Sequence, residues 1–223
     1  MPDPALVEAI RNRGDALRRR IAERTDREVR VVCVTKAHPP EVAAASHAAG
    51  FEDLGENYAQ ELRVKAAELL DAGIAPGAVR WHFIGQLQTN KVRLIVDTVD
   101  LWHTVDRPSL AAELSKRAPE ARVLVQLDLA GIPGRGGCAP GDAPDLVERC
   151  RALGLRVEGL MGVGPPGDPE SSRPGFRLLD RLASELGLAE RSMGMSADLD
   201  VAVDEGATIV RVGSALVGPR GTA

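Results

Sequence analysis

A chain of 223 residues, 44% apolar and 27% charged, is long enough for a full hydrophobic core and too ordinary in composition to be disordered. Its 28 basic and 32 acidic side chains leave a net charge of −4, which offers no basic field to nucleic acid or to an anionic membrane. Aromatics at 3% give few platforms for stacked bases, and three cysteines without CxxC spacing and four histidines without shared ligand spacing argue against a disulfide scaffold or a zinc module. No apolar run approaches the roughly 18 residues that cross a bilayer, and the N-terminus lacks an apolar signal core, so a soluble, cytoplasmic protein is expected.

Asp3-Pro4 opens the first helix, an N-cap followed by a proline suited to the first turn. Leu6, Ile10, Leu17 and Ile21 mark one face of it. The run Arg18-Arg19-Arg20 lies opposite and reads as a solvated face rather than a phosphate patch. Residues 29–35 are almost wholly apolar and β-branched, a buried strand stopped by Pro39-Pro40. Helix and strand then alternate: helix 41–49, strand 51–54, helix 58–72, strand 79–84, helix 90–96, strand 101–105, helix 109–117. Strand 122–129, helix 144–153, strand 156–163, helix 176–186, strand 192–195, helix 198–205 and strand 208–212 complete the series. The segments 130–144 and 164–175 are Gly/Pro-rich and follow strands, as mobile lids or as plain surface loops.

Eight strands separated by helices imply a parallel sheet with right-handed crossovers, and eight such units can close as a (β/α)8 TIM-type barrel. The usual eighth helix is missing from this reading, and the N-terminal helix (residues 1–25) is expected to pack over the gap. No break in composition divides residues 1–223, so one domain is expected. A doubly wound open sheet is the alternative, but the turn after the first strand reads Thr35-Lys36-Ala37-His38-Pro39 and lacks its GxGxxG fingerprint.

In a barrel the first and eighth strands are neighbours, which gathers Lys36, Met195-Ser196 and Arg211-Val212-Gly213-Ser214 at the C-terminal mouth. Loops after the seventh and eighth strands are the recurrent phosphate site of this fold. Amides of Gly213, Ser214 and Ala215, with the Ser196 hydroxyl, can meet an anion there. A lysine beside such a cradle suggests a phosphorylated carbonyl ligand held as a Schiff base. Simpler readings exist for each residue. Lys36 can snorkel at the surface, Ser196 can cap the helix at 198–205, and Gly213 can be an ordinary turn glycine.

The stretches Val34-Thr35-Lys36-Ala37, Gly55-Glu56-Asn57-Tyr58, and Trp81 through Lys91 (WHFIGQLQTNK) occur in that order. His103-Thr104-Val105-Asp106, Gly159-Leu160-Met161, Ser192 through Asp198 (SMGMSAD) and Arg211 through Ala215 follow. In these motifs the chain resembles the pyridoxal phosphate homeostasis protein family, relatives of the alanine racemase N-terminal barrel. The resemblance implies pyridoxal 5′-phosphate held on Lys36 as a Schiff base. It implies that Ser196, beside Met195, and Gly213 and Ser214 hold the phosphate, that Arg211 faces the pyridine nitrogen, and that Asn57 and His82 line the pocket. His82 shares a strand face with Ile84, so a core histidine is a second reading. The family's Lys-Ser/Thr-Gly turn after the fifth strand is replaced here by Arg135-Gly136-Gly137.

A racemase of this barrel type places a lysine and a tyrosine on opposite faces of the cofactor, the tyrosine coming from an added domain. The single tyrosine here, Tyr58, follows the second strand. An arginine at the pyridine nitrogen stays protonated and leaves the ring a weak electron sink. A non-enzymatic, monomeric carrier that buffers the aldehyde and passes it to apo-enzymes is therefore expected. A low-activity amino-acid racemase and a partner-binding regulator are the alternatives.

Overall fold

The computed structural model of the chain describes residues 2–132 and 134–219. Eight short parallel strands close in chain order: β1 (Arg30–Val34), β2 (Asp53–Glu56), β3 (Arg80–Phe83), β4 (Val99–Val105), β5 (Arg122–Leu127), β6 (Arg156–Gly162), β7 (Glu190–Ser192) and β8 (Ile209–Val212). Cys33 of β1 is in register with both Leu54 of β2 and Val212 of β8, so no strand edge is left and the open-sheet alternative is ruled out.

Around the barrel run α1 (Pro4–Ala22), α2 (Pro40–Ala48), α3 (Ala59–Asp71), α4 (Pro108–Arg117), α5 (Ala143–Ala152), α6 (Arg173–Glu185), α7 (Leu199–Asp204) and α8 (Ser214–Val217). Successive side chains of a strand face opposite ways. One set therefore packs outward under the helices, where Phe83, Trp102, Leu114, Phe176 and Leu179 are buried. The other set fills the barrel, where Val32, Leu101, Leu124, Met161 and Ile209 form a separate apolar cluster.

The first helix starts where the sequence places it, with Asp3 accepting from the Ala5 N–H at 2.9 Å. It packs against α2 and α8, burying Ile10, Gly14 and Ile21. Arg18, Arg19 and Arg20 are exposed, as a solvated face; Arg20 pairs with Asp200 of α7 at 2.7 Å, and Arg18 pairs with Asp15 and lies over the Phe51 ring.

Three expectations are corrected. An eighth helix does exist, a single turn at Ser214–Val217 begun by Leu216 and Val217 donating to the Gly213 carbonyl. The segment expected as helix 90–96 is a 3₁₀ helix at Thr89–Leu94. The seventh strand is Glu190–Ser192, ending earlier than expected. Gly194 adopts φ +91° there, and a Cβ on it would come within 2.5 Å of Ala202. The chain therefore turns tightly against α7, and Met195-Ser196 sits in the loop beyond the strand.

Candidate functional site at the barrel mouth

At the C-terminal mouth lies a cavity of about 460 Å³, within the range of small-ligand sites. Lys36, Asn57, Met195, Ser196, Arg211, Gly213 and Ser214 all line it. They come from the ends of β1, β2, β7 and β8, which closure of the barrel makes neighbours.

Lys36 follows β1 in a sharp turn. Ala37 takes a left-handed conformation (φ 57°), unusual for a residue with a Cβ, and its N–H donates to Glu61 Oε2 at 2.8 Å. The His38 N–H returns to the Thr35 carbonyl. Beneath the turn lies a second lysine. Lys65 Nζ donates to the Thr35 carbonyl at 2.7 Å and to Glu56 Oε1 at 2.6 Å, and the Thr35 hydroxyl meets the same carboxylate oxygen. Burial pushes the Glu56 carboxyl up, with the Lys65 charge pulling against it. Lys65 and Glu56 are almost wholly buried, so Lys36 lines the cavity while Lys65 braces it from behind.

The opposite wall depends on a close approach. A Cβ on Gly85 would fall 2.1 Å from the Asn57 carbonyl oxygen, so the β3 exit presses directly on the Asn57 backbone. The Asn57 side-chain oxygen is buried without a hydrogen-bond partner. A polar atom in that state marks a place where a ligand donor gains most.

The β7–α7 loop is organised by Asp198. Its carboxylate accepts from the Met195 N–H at 2.7 Å and from the Ser172 hydroxyl at 3.1 Å. Asp198, not Ser196, occupies the cap position of α7, and Ser196 faces the cavity. Gly213 and Ser214 line the other side, where the first amides of α8 have no intrahelical acceptor.

Arg211 is buried at the floor. Burial brings its pKa down to about 10, with Asp198 opposing, so it remains a cation at neutral pH. It donates to Ser192 Oγ at 2.6 Å and to the Gly162 carbonyl at 2.9 Å.

His82 is a correction. It does not line the cavity; its ring nitrogens meet Asp53 Oδ1 and His103 Nε2, each at 2.8 Å. The alternation that put His82 on the face of Ile84 is right. Ile84 lines the cavity, but two residues earlier along a strand lies about 6.6 Å deeper, in the layer below the floor.

The polar lining residues Gln86, Gln126 and Arg135 had no role assigned from sequence. Gln126 projects from β5, and a glutamine inside an otherwise apolar strand was the signal for it. Arg135 lines the cavity and donates to the Gly164 carbonyl at 2.8 Å, tying the two Gly/Pro-rich loops together. The first of these loops is also pinned by Asp128, which accepts from Ala130 and Gly131, and by a bridge between Leu127 and Cys138.

Tyr58 is 56% exposed and lines a neighbouring groove with Gln88 and Lys91, not this cavity. All three thiols are free. Burial pushes Cys33 up to about 12 and Cys138 and Cys150 each to about 11, so none is a thiolate at neutral pH. Among the described residues no cluster of His, Cys, Asp or Glu is placed to hold a metal, and no helix is long and apolar enough to cross a membrane. Cations at the rim and floor, hydroxyls and amides on one side, and an unpartnered amide oxygen on the other fit a small, polar, phosphorylated ligand.

A closed barrel with a lysine ending β1 and polar turns after β7 and β8 defines a class, and the model of the alanine racemase N-terminal domain matches residues 7–221. A pyridoxal phosphate homeostasis protein of Pseudomonas aeruginosa is 40% identical over 207 residues, covering 89% of this chain and 88% of its own. Another, from Deinococcus radiodurans, is 40% identical over 220 residues, covering 97% and 99%. The structure of PipY of Synechococcus elongatus with PLP bound superimposes with a TM-score of 0.82 at 33% identity, over 94% of this chain and 100% of that one. The chain belongs to the pyridoxal phosphate homeostasis protein family. Alanine racemase of Corynebacterium glutamicum, at 20% identity and a TM-score of 0.71, shares the fold over 97% of this chain and 62% of its own.

Proposed function

We propose that this protein binds pyridoxal 5′-phosphate in the barrel mouth as a Schiff base on Lys36. It acts as a carrier that limits free aldehyde and supplies apo-enzymes, rather than as an amino-acid catalyst. The observation that carries this reading is the charge of the cavity: its ionisable lining side chains, among the described residues, are Lys36, Arg135 and Arg211. Such a set suits a phosphorylated aldehyde and supplies cations without a carboxylate, imidazole or phenol to serve as a second base.

The bound group's aldehyde supplies the chemistry, condensing with an amine and releasing one water. Ser196, Gly213 and Ser214 hold the phosphate through a hydroxyl and amides. Asn57 offers its unpartnered oxygen to a donor on the ring. Arg211 faces the pyridine nitrogen and, being charged, leaves that nitrogen unprotonated, which weakens the ring as an electron sink. Names of relatives at 40% identity and PLP bound to PipY support the same reading. A monomer working in the cytoplasm is part of the proposal.

The test is reduction of the PLP-loaded protein with borohydride, followed by peptide mapping. The expected result is one modified lysine, Lys36, and none in Lys36→Ala. A reducible adduct elsewhere in a folded Lys36→Ala variant overturns the assignment. Chiral chromatography of amino acids incubated with the loaded protein is expected to show no turnover near the roughly 10 s⁻¹ typical of enzymes. Turnover of that order, lost in Lys36→Ala, favours a racemase.

A further inference from the structure

Below the cavity floor, polar side chains from five strands cross an otherwise apolar barrel interior. Arg211 Nη1 donates to Ser192 Oγ at 2.6 Å, and Ser192 Oγ lies 2.9 Å from His103 Nδ1. His103 Nε2 lies 2.8 Å from His82 Nδ1, and His82 Nε2 lies 2.8 Å from Asp53 Oδ1. Arg80 closes the far end, its Nε and Nη2 on the two oxygens of Asp53 at 2.9 and 2.7 Å. All members from Arg211 to Asp53 are buried, and Val32, Leu101, Leu124 and Ile209 pack the same interior.

The two ends and the number of protons on the rings together set the direction of every bond between them. A guanidinium only donates, and a carboxylate clamped by Arg80 only accepts. Burial above all, with the charges of Arg211 and Arg30 adding to it, holds His103 well below the usual histidine range, so its ring is neutral. With a single proton on each ring, one arrangement satisfies every link. The Ser192 O–H donates to His103 Nδ1, His103 Nε2–H donates to His82 Nδ1, and His82 Nε2–H donates to Asp53. The Ser192 lone pairs are then left for Arg211. One added proton on either ring makes His103 Nδ1 a donor. Ser192 then faces two donors, and its own hydrogen loses its acceptor. The charged groups facing the rings are Asp53 and Arg80, Arg30 from β1 and Arg211 from β8, with Asp198 acting on Arg211 from the β7–α7 loop.

We propose that Asp53, His82, His103 and Ser192 are a positioning relay for Arg211, which orients the Ser192 hydroxyl as an acceptor and so holds the guanidinium at the cavity floor. Its effect on a bound pyridine ring rests on the placement of pyridoxal phosphate proposed above.

Nitrogen NMR of the ligand-free protein labelled with ¹⁵N-histidine reads the relay without the cofactor. The relay requires a single proton on each ring, carried on Nε2 of both His82 and His103. An imidazolium, or an Nδ1–H tautomer at either ring, overturns the proposal. Spectra of the PLP-loaded protein read the consequence. Ser192→Ala is expected to shift the bound-cofactor absorbance and its pH profile and to speed cofactor loss about tenfold, the effect of one hydrogen bond to a charged group. Ser192→Thr, which keeps the hydroxyl, is expected to restore both. Folded Ser192→Ala protein with wild-type spectrum, pH profile and retention shows that the chain of bonds is only structural and overturns the positioning role. If the wild type takes up no PLP, the proposed function has failed, and the histidine tautomers alone decide the relay.

Discussion

Two lysines near one turn have opposite fates, and their surroundings say why. Lys36 lines the cavity, whereas Lys65 spends its charge on Glu56, Glu61 and the Thr35 carbonyl in a site that water does not reach. A buried ion pair contributes little over a well-packed apolar pair, yet removing one partner strands the other. Lys65→Ala is therefore expected to cost about 3–5 kcal/mol in urea unfolding. The double change Lys65→Met with Glu56→Leu should recover most of that loss. If the double variant is as unstable as the single one, charge stranding is not the cause. Gly85 is a second position where one atom matters. Gly85→Ala puts a methyl into the Asn57 carbonyl, and overpacking of this kind costs roughly 1–3 kcal/mol. The thermal midpoint should fall, and PLP retention should fall with it because Asn57 forms the cavity wall.

Among the elements, the β7–α7 loop depends on one carboxylate. Asp198→Ala removes the acceptor of the Met195 N–H and the Ser172 hydroxyl together. The buried Ser172 hydroxyl left unsatisfied costs about 1–3 kcal/mol. The loop that presents Ser196 should loosen, seen as faster amide exchange at Met195 and weaker cofactor retention with the barrel intact. Unchanged exchange at Met195 would count against Asp198 as the organiser. The loops after β5 and β6 are joined by Arg135 to the Gly164 carbonyl. Arg135→Ala should raise proteolytic nicking within these two loops and leave the barrel core protected. Equal nicking rates would mean the tie contributes nothing to their order.

At the scale of the whole molecule, acid stability reports the barrel interior. The folded protein keeps His103 neutral, while the unfolded chain binds its proton near pH 6.5. The histidine's contribution is therefore present above about pH 6.5 and is lost as pH falls below it, by up to about 1.4 kcal/mol per pH unit. Asp53 acts lower. Burial alone would raise its carboxyl, but Arg80 and His82 outweigh burial and depress it, so its contribution is lost only below about pH 3.8. Urea unfolding between pH 8 and pH 5 should show wild-type stability falling more steeply than that of His103→Phe. Parallel curves would place the acid-sensitive group elsewhere.

Strand-helix alternation is written locally, in apolar runs and in stops such as Pro39-Pro40, so the order of elements and the barrel they build were legible without coordinates. Residues at strand ends were legible too, because closure brings every C-terminal end to one mouth: Lys36, Ser196, Arg211 and Gly213 needed only their place in the series. Depth was not legible. Period-two patterning assigns His82 to the inner face but not to the layer beneath the floor. Lys65 reads as one more charge on an exposed helix until Glu56 and the Thr35 carbonyl are seen beside it. His103 and Ser192, 89 residues apart, meet only because β4 and β7 face each other across the closed barrel. Local sequence sets which side of a strand a residue occupies, through backbone geometry and burial of apolar area. The partner across the interior is set by closure and stagger of all eight strands together, and that is a property of the tertiary structure.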